Sequence, residues 1–380
     1  MDLREIIVIT KTNEWILIGL FLLAFLVQSG YYLLVFIKLP LHKQKKQRKT
    51  KKGISIIICA KNERKNLEQF LPRILQQDYP EFEVVVVNDS STDQTEDLLS
   101  EMSTQHKHLR FTSIPANDDF LHGKKLALTI GLKSARYEHV LLTDADCYPV
   151  SDQWLQSMAS NLTSQKKIVL GYGGYERKRG LLNLLIRYET VFTAMVYLSY
   201  ALKGKPYMGV GRNLAYEKAL FFDNKGFASH YHISSGDDDL FVNETATKDN
   251  TAVEFSCHSH TLSVPKTTFK SWIKQKRRHL AAGSHYSPSS RFRLAGEWIS
   301  RLTLYTTLII LCIISPWQLF VAGLTGLLLV IKMIIFKLSM RRLDEKFLLL
   351  PSLLLDPILP LVLGVIWLSS IFETKHQTWS

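Results

Sequence analysis

Asp144 and Asp146, in Thr143-Asp144-Ala145-Asp146, are two carboxylates one residue apart at the end of the apolar run His139 to Thr143. Oxygen donors so placed after a buried strand suit a hard divalent cation, Mg2+ or Mn2+, that keeps open positions for a diphosphate. Such an ion neutralises the charge that builds on a leaving nucleoside diphosphate. Two further acids also follow apolar runs: Glu63 comes after Ile54 to Cys59, and Asp89 after Val84 to Val87. Gly236-Asp237-Asp238-Asp239-Leu240 sets three acids side by side. Their mutual repulsion raises a pKa and suits one of them to act as a base. No glycine-rich loop of the G-x-G-x-x-G or Walker type follows any of these runs, which disfavours a dinucleotide or P-loop site.

The elements that must position these acids alternate between two periods. Ile54 to Cys59 is short, apolar and β-branched, and reads as a buried strand. Arg64 to Gln76 carries Leu67, Phe70, Leu71, Ile74 and Leu75 at helical spacing. Val84 to Val87 is a second strand, 93–103 a helix, Leu109 to Ile114 a strand, Lys124 to Ala135 a helix, and His139 to Thr143 a strand. Strand–helix alternation implies an α/β domain with a doubly wound, mostly parallel sheet. In such sheets ligands bind beyond the carboxyl ends of the strands, where Glu63, Asp89, Asp144 and Asp146 fall.

The ends of the chain differ in kind. Trp15 to Ile37 is 23 residues without a charge; at about 1.5 Å per residue it spans roughly 34 Å, enough for a bilayer core of about 30 Å. A signal peptide would be shorter and preceded by basic residues, whereas Lys38, Lys43, Lys45, Lys46, Arg48, Lys49, Lys51 and Lys52 come after. The positive-inside rule then places residue 38 onward in the cytoplasm. Leu302 to Ile331 is uncharged over 30 residues and broken at Ser315-Pro316. It reads as two helices, about 299–314 and 317–336, that turn on the outer side, so that Arg301 and Lys332 both face the cytoplasm. Phe347 to Phe372 is interrupted by Asp356-Pro357 and Pro360, and is read as a kinked span or a re-entrant segment. A buried Asp356 would point to transport, an interfacial one to a helix break. Tyr188 to Leu202 reads as a core helix or one at the membrane face beside the acceptor.

The chain of 380 residues has 47 Lys plus Arg against 34 Asp plus Glu, a net charge of +13, with 46% hydrophobic and 21% charged residues. That excludes a disordered or collagen-like chain. Basic residues that flank spans and meet anionic headgroups explain much of the charge, which leaves little for nucleic acid. The four cysteines are far apart, so disulfides are not expected, and Cys257 with His260 lacks a second ligand pair for a metal. Three parts follow: 1–52, a transmembrane helix and basic linker; 53–285, a cytoplasmic catalytic domain; and 286–380, C-terminal transmembrane helices. The bacterial inner membrane fits this layout.

Over about 53–285 the sequence resembles the membrane-bound glycosyltransferases of family 2, with the GT-A nucleotide-sugar-binding fold. Cys59-Ala60-Lys61-Asn62-Glu63 is similar to their opening P-A-Y-N-E type motif, and Asp89 in VVVVNDSSTDQT to the acid that contacts the nucleoside. Gly123-Lys124-Lys125-Leu126-Ala127-Leu128 resembles G-K-x-x-A-L near the diphosphate, and Asp144-Ala145-Asp146 the D-x-D. Gly209-Val210-Gly211-Arg212-Asn213-Leu214-Ala215-Tyr216 resembles the acceptor-side segment, Asp237-Asp238 the acidic pair, and Gln275-Lys276-Arg277-Arg278-His279 the Q-x-x-R-W segment. The resemblance implies a nucleoside-diphosphate-sugar donor held by Ala60, Glu63, Asp89, Lys124, Asp144, Gln275 and Arg278. It implies a Mg2+ or Mn2+ ion on Asp144 and Asp146. It makes Asp238 the base, with Asp237 in reserve.

The expected activity is inverting transfer of a sugar to a lipid-linked or saccharide acceptor, with membrane lipids around the chain and no nucleic acid. His279 replaces the family's tryptophan and tells against the alternative of a processive polysaccharide synthase. An inactive membrane scaffold or lipid-binding protein on the same fold is the remaining alternative; the intact acids argue against it. The basic run Lys270 to Arg278 suits an interfacial helix, with Trp272 in the interface and Gln275 and Arg278 turned to the site.

Overall fold

A computed structural model describes residues 3–44, 49–116, 123–233 and 235–371. Lys45, Lys46 and Arg48 of the expected basic linker, and Phe372 at the end of the last apolar run, lie outside the described residues.

The strands are β1 (Ile54–Ala60), β2 (Phe82–Asp89), β3 (Leu109–Ile114), β4 (His139–Asp144), β5 (Cys147–Pro149), β6 (Ile168–Leu170), β7 (Gly173–Tyr175), β8 (Leu214–Glu217), β9 (Thr251–Val253) and β10 (Thr261–Ser263). The helices are α1 (Leu3–Gly30), α2 (Lys38–Leu41), α3 (Arg64–Leu75), α4 (Thr95–Gln105), α5 (Lys124–Ser134), α6 (Trp154–Ala159), α7 (Leu181–Leu202), α8 (Lys218–Asp223) and α9 (Asp239–Thr245). They continue with α10 (Phe269–Gly283), α11 (Pro288–Ile314), α12 (Gln318–Arg342) and α13 (Leu349–Ile371).

The main sheet runs β3-β2-β1-β4-β8-β6-β9. The first four strands are parallel to their neighbours, and β8 is antiparallel to both β4 and β6. β1 is buried along its whole length because both faces are covered. Ile56 and Ile58 face α3 and α4, while Ile57 and Cys59 pack with α5 and α7. Gly131 lets α5 approach this closely, since a Cβ there would lie 2.7 Å from Ile57 Cγ2. A small sheet, β5-β10-β7, stands next to the carboxyl end of β4.

α1, α11 and α12 pack through a separate apolar seam that includes Ile18, Phe21, Leu304, Leu311, Val321 and Leu328, and α13 packs on α11 and α12. Leu23, Leu26, Ile313, Leu319, Leu354 and Leu361 point outward, as a lipid-facing surface requires. Among the described residues, five helical stretches are long and apolar enough to cross a membrane: Asn13–Leu41, Leu181–Leu202, Pro288–Ile314, Gln318–Arg342 and Leu349–Ser369. α7 is the exception among them, with 72% of its apolar window buried against 28–33% in the others. It is a core helix that ties the sheet to the bundle. At one end of the bundle the Ser315 hydroxyl donates to Glu14 Oε1 at 2.6 Å, beside the turn between α11 and α12. At the other end Arg342 donates to the carbonyls of Pro40 and His42, next to the start of β1.

Two expectations change here. α13 is one continuous helix through Pro357 and Pro360. Arg301 and Lys332 do not flank the spans; both are buried and meet Asp356, at 3.2 and 2.8 Å. The hydroxyls of Tyr305 and Tyr188 also donate to Asp356, at 2.5 and 3.3 Å, and Glu297 pairs with Arg301 at 3.2 Å. Charges in an apolar bundle persist only when paired, so two cations and two anions form one closed cluster.

Candidate active site

β1 delivers Ala60, Lys61 and Glu63 to the sheet edge, and the neighbouring β2 delivers Asp89. β4 ends on Asp144, and Asp146 leads into β5. Lys124 opens α5 directly above them, and its Nζ lies 2.9 Å from Asp144 Oδ1 and 2.9 Å from Asp237 Oδ2. A single ammonium thus joins acids 93 positions apart in the chain (237 − 144). Glu63, Lys124, Asp144, Asp146, Asp237, Asp238, Gln275 and Arg278 all line one cavity of about 370 Å³. Ala60 and Asp89 do not; they are fully buried behind its wall. Asp89 is 3.8 Å from Lys61, which does line the cavity.

The acids differ in protonation because their surroundings differ. Burial and then the neighbouring Asp144 charge push Asp146 up. Burial raises Glu63 too, with Asp146 and Asp144 adding to it. Burial would raise Asp237, but the Lys124 ammonium outweighs it and holds that carboxyl below the usual range. Asp238 is pushed up to about 6 by burial and by Asp237. Asp239 rises to about 7 through burial and Asp238. Asp238 is also the cap of α9: Oδ1 accepts the Asp239 N–H at 2.8 Å, and Oδ2 accepts the Gly211 N–H at 2.5 Å. Glycine at 211 eases this approach, because a Cβ there would stand 3.2 Å from Asp238 Oδ2 and 3.4 Å from Lys124 Nζ, close enough to press the carboxylate aside by a few tenths of an ångström. Asp239 also lines the cavity and accepts the Tyr286 hydroxyl at 2.7 Å.

The donors present fit a hard divalent ion. Ligand atoms of Asp144, Asp146 and Cys147 lie within 4.8 Å of one another. Burial pushes the Cys147 thiol well up, and its Sγ is engaged by Asp146 Oδ1 and Ser263 Oγ. Of the three, the two carboxylates suit such an ion and the protonated thiol does not.

Several lining residues had no assigned role in the sequence. Arg212 is stacked 4.5 Å from the centre of the Tyr175 ring, and Gln275 Nε2 donates to the Tyr175 hydroxyl at 3.3 Å. On the far wall Lys276 Nζ meets Glu189 Oε2 at 2.5 Å, and Thr193 donates to Glu189 Oε1 at 3.2 Å. Glu189 inside an otherwise apolar helix was the available signal. Trp272 is not in an interface; it is buried against Ile186 and Ile366, so α10 rests on α7 and α13. His279 lines the cavity in the place of the family's tryptophan.

Residues 55–221 match the family described as Glycosyl transferase family 2. Over 94 residues, 25% of this chain, the sequence is 35% identical to a poly-beta-1,6-N-acetyl-D-glucosamine synthase of Staphylococcus epidermidis. It is 31% identical over 94 residues to the same enzyme of Staphylococcus aureus strain COL. In both cases the chain spans about a fifth of the relative's length, 22%. Among solved structures, a mannosyltransferase of Pyrobaculum calidifontis in complex with GDP-Man and Mn2+ superimposes with a TM-score of 0.58 at 20% identity, covering 88% of this chain and 99% of that one. The chain is therefore similar to glycosyl transferase family 2 over residues 55–221, shares the fold of that mannosyltransferase, and among its described residues has helices long and apolar enough for a multi-pass membrane protein.

Proposed function

We propose that the protein is an integral-membrane inverting glycosyltransferase that moves a sugar from a nucleoside-diphosphate-sugar to a lipid-linked or saccharide acceptor. The observation that carries this reading is the Lys124 bridge between Asp144 and Asp237, which brings the D-x-D and the acidic triplet to one cavity. Asp144 and Asp146 would hold Mg2+ or Mn2+, which supplies positive charge to the leaving diphosphate. Lys124 and Arg278 add fixed cations at the same place. Glu63 and Gln275 contact the donor from the wall, and Ala60 and Asp89 support it from behind. Asp238 takes the proton of the acceptor hydroxyl. That oxygen bonds to the anomeric carbon as the bond to the diphosphate breaks on the opposite face, which inverts the centre.

The catalytic domain faces the cytoplasm in this reading. Support comes from the described basic residues Lys38, Lys43, Lys337, Arg341 and Arg342, at the bundle end where Arg342 bonds the Pro40 and His42 carbonyls and from which the chain leads on to β1. A processive polysaccharide synthase is the second reading, favoured by the names of the two staphylococcal relatives. Purified protein with Mn2+ and a panel of UDP- and GDP-sugars tests the proposal, UDP-N-acetylglucosamine and GDP-mannose first. Release of nucleoside diphosphate by wild type and not by Asp238→Asn supports it. Equal background release by both refutes it. A size ladder of products from a single donor marks the synthase.

A further inference from the structure

We infer that the acceptor is a lipid-anchored molecule. Its hydroxyl-bearing head sits between Asp238 and the Glu189–Lys276 pair, and its chain leaves the cavity along α13. This deepens the glycosyltransferase reading and rests on it. The cavity has two unlike ends. Around Lys124, Asp144, Asp146 and Arg212 the wall is charged. Beyond Asp238 the wall is made by α7, α10 and α13, with Ala194, Leu280, Ala282 and Leu363, and by the segment after α7, with Met208. Leu363 belongs to a helix apolar enough to span a membrane. On that helix Leu361, Val365 and Leu368 are turned outward and exposed, so one helix thickness separates the cavity from the lipid-facing surface.

The polar groups on this wall are few and fixed. Glu189 is held by Lys276 and Thr193, and Thr190 lies beside them. A few oriented polar groups in an apolar wall suit a ligand with one polar end. A wholly water-soluble sugar would leave Leu280 and Leu363 against hydroxyls.

The rim supports the same occupant. Arg177, Lys178, Arg179, Lys270 and Lys274 are exposed there, among the exposed side chains of Leu181, Phe269 and Phe347. The Arg177 guanidinium lies 3.9 Å from the centre of the Phe347 ring. Cations interleaved with large apolar side chains seat a surface at anionic headgroups. Lys266, three residues before Phe269, also lines the cavity, so this rim adjoins the mouth.

The test places the full-length protein in nanodiscs made from the total lipid of its native membrane and supplies sugar-labelled donors with Mn2+. The expected result is label that moves into the chloroform/methanol phase in step with nucleoside diphosphate release. Leu363→Trp, which fills the exit, lowers lipid labelling at least tenfold. Leu350→Ala, on the exposed side of α13, keeps labelling within about twofold of wild type. Nucleotide release with label confined to water-soluble or polymeric product overturns the lipid acceptor and leaves the transferase reading standing. Labelling by Leu363→Trp at the wild-type level, or an equal loss in Leu350→Ala, overturns the exit path. No donor consumption with any nucleotide sugar overturns both readings.

Discussion

The ammonium of Lys124 lies 2.9 Å from the carboxylate of Asp237, the first acid of a triplet whose three members titrate differently. With its other contact on Asp144, this side chain sets the spacing between the Asp144 end of the cavity and the acidic triplet. Lys124→Ala removes a fixed cation beside the leaving diphosphate and frees Asp237. We expect kcat to fall by about 10²–10³-fold. Steady-state kinetics with a saturating donor checks this, and a loss seen only in KM would contradict it.

The pH dependence should carry the signature of Asp238. A base works only when ionised, and burial together with Asp237 raises this carboxyl to about 6. Activity should therefore be full above that value and fall about tenfold per unit as pH drops below it. Asp238→Asn should lose roughly 10²–10⁴ in kcat. Asp239→Asn should keep the acid limb, because the Asp239 carboxylate is already bonded to the Tyr286 hydroxyl. If the limb sits near 7 and disappears in Asp239→Asn, Asp239 is the base instead.

Gly211→Ala offers a geometric check on the same residue. The added methyl would sit 3.2 Å from Asp238 Oδ2, so the carboxylate must move by a few tenths of an ångström. Displacement of a positioned base costs rate rather than donor affinity, and kcat should drop by roughly tenfold or more. Donor affinity measured by titration calorimetry should stay near wild type.

Metal binding should follow the two carboxylates and not the thiol. Mn2+ titrated into Asp146→Asn should show no saturable binding, whereas Cys147→Ser should retain it. Chelation should stop turnover in wild type, and added Mn2+ or Mg2+ should restore it.

The cluster around Asp356 predicts a stability effect without a catalytic one. Asp356→Ala strands Arg301 and Lys332 in an apolar bundle, which costs about 3–5 kcal/mol. Thermal unfolding in detergent should show a clear drop, while turnover per folded molecule stays near wild type. A cluster that carried substrate would reverse that pattern.

The parallel half of the domain was legible because each run from Ile54 to Asp144 obeys a single period and ends in a polar break. β6, β8 and β9 are three or four residues long and carry no such pattern, so the rest of the sheet was not. Arg301 and Lys332 show the other limit. Beside an uncharged run they looked like flanking cations, yet Asp356, more than twenty residues farther along, draws both inside.

Local order alone determined the strand ends, and with them the places of Glu63, Asp144 and Asp146, because a buried strand must stop where its apolar side chains stop. Tertiary packing decided the rest: that Lys124 reaches both acid groups, that Asp89 lies behind the wall, that Asp238 receives the Gly211 amide, and that Leu363 of α13 closes the cavity. Those relations join segments tens to hundreds of residues apart. Residue spacing carries no distance across such gaps; only helices and sheet packed to contact do.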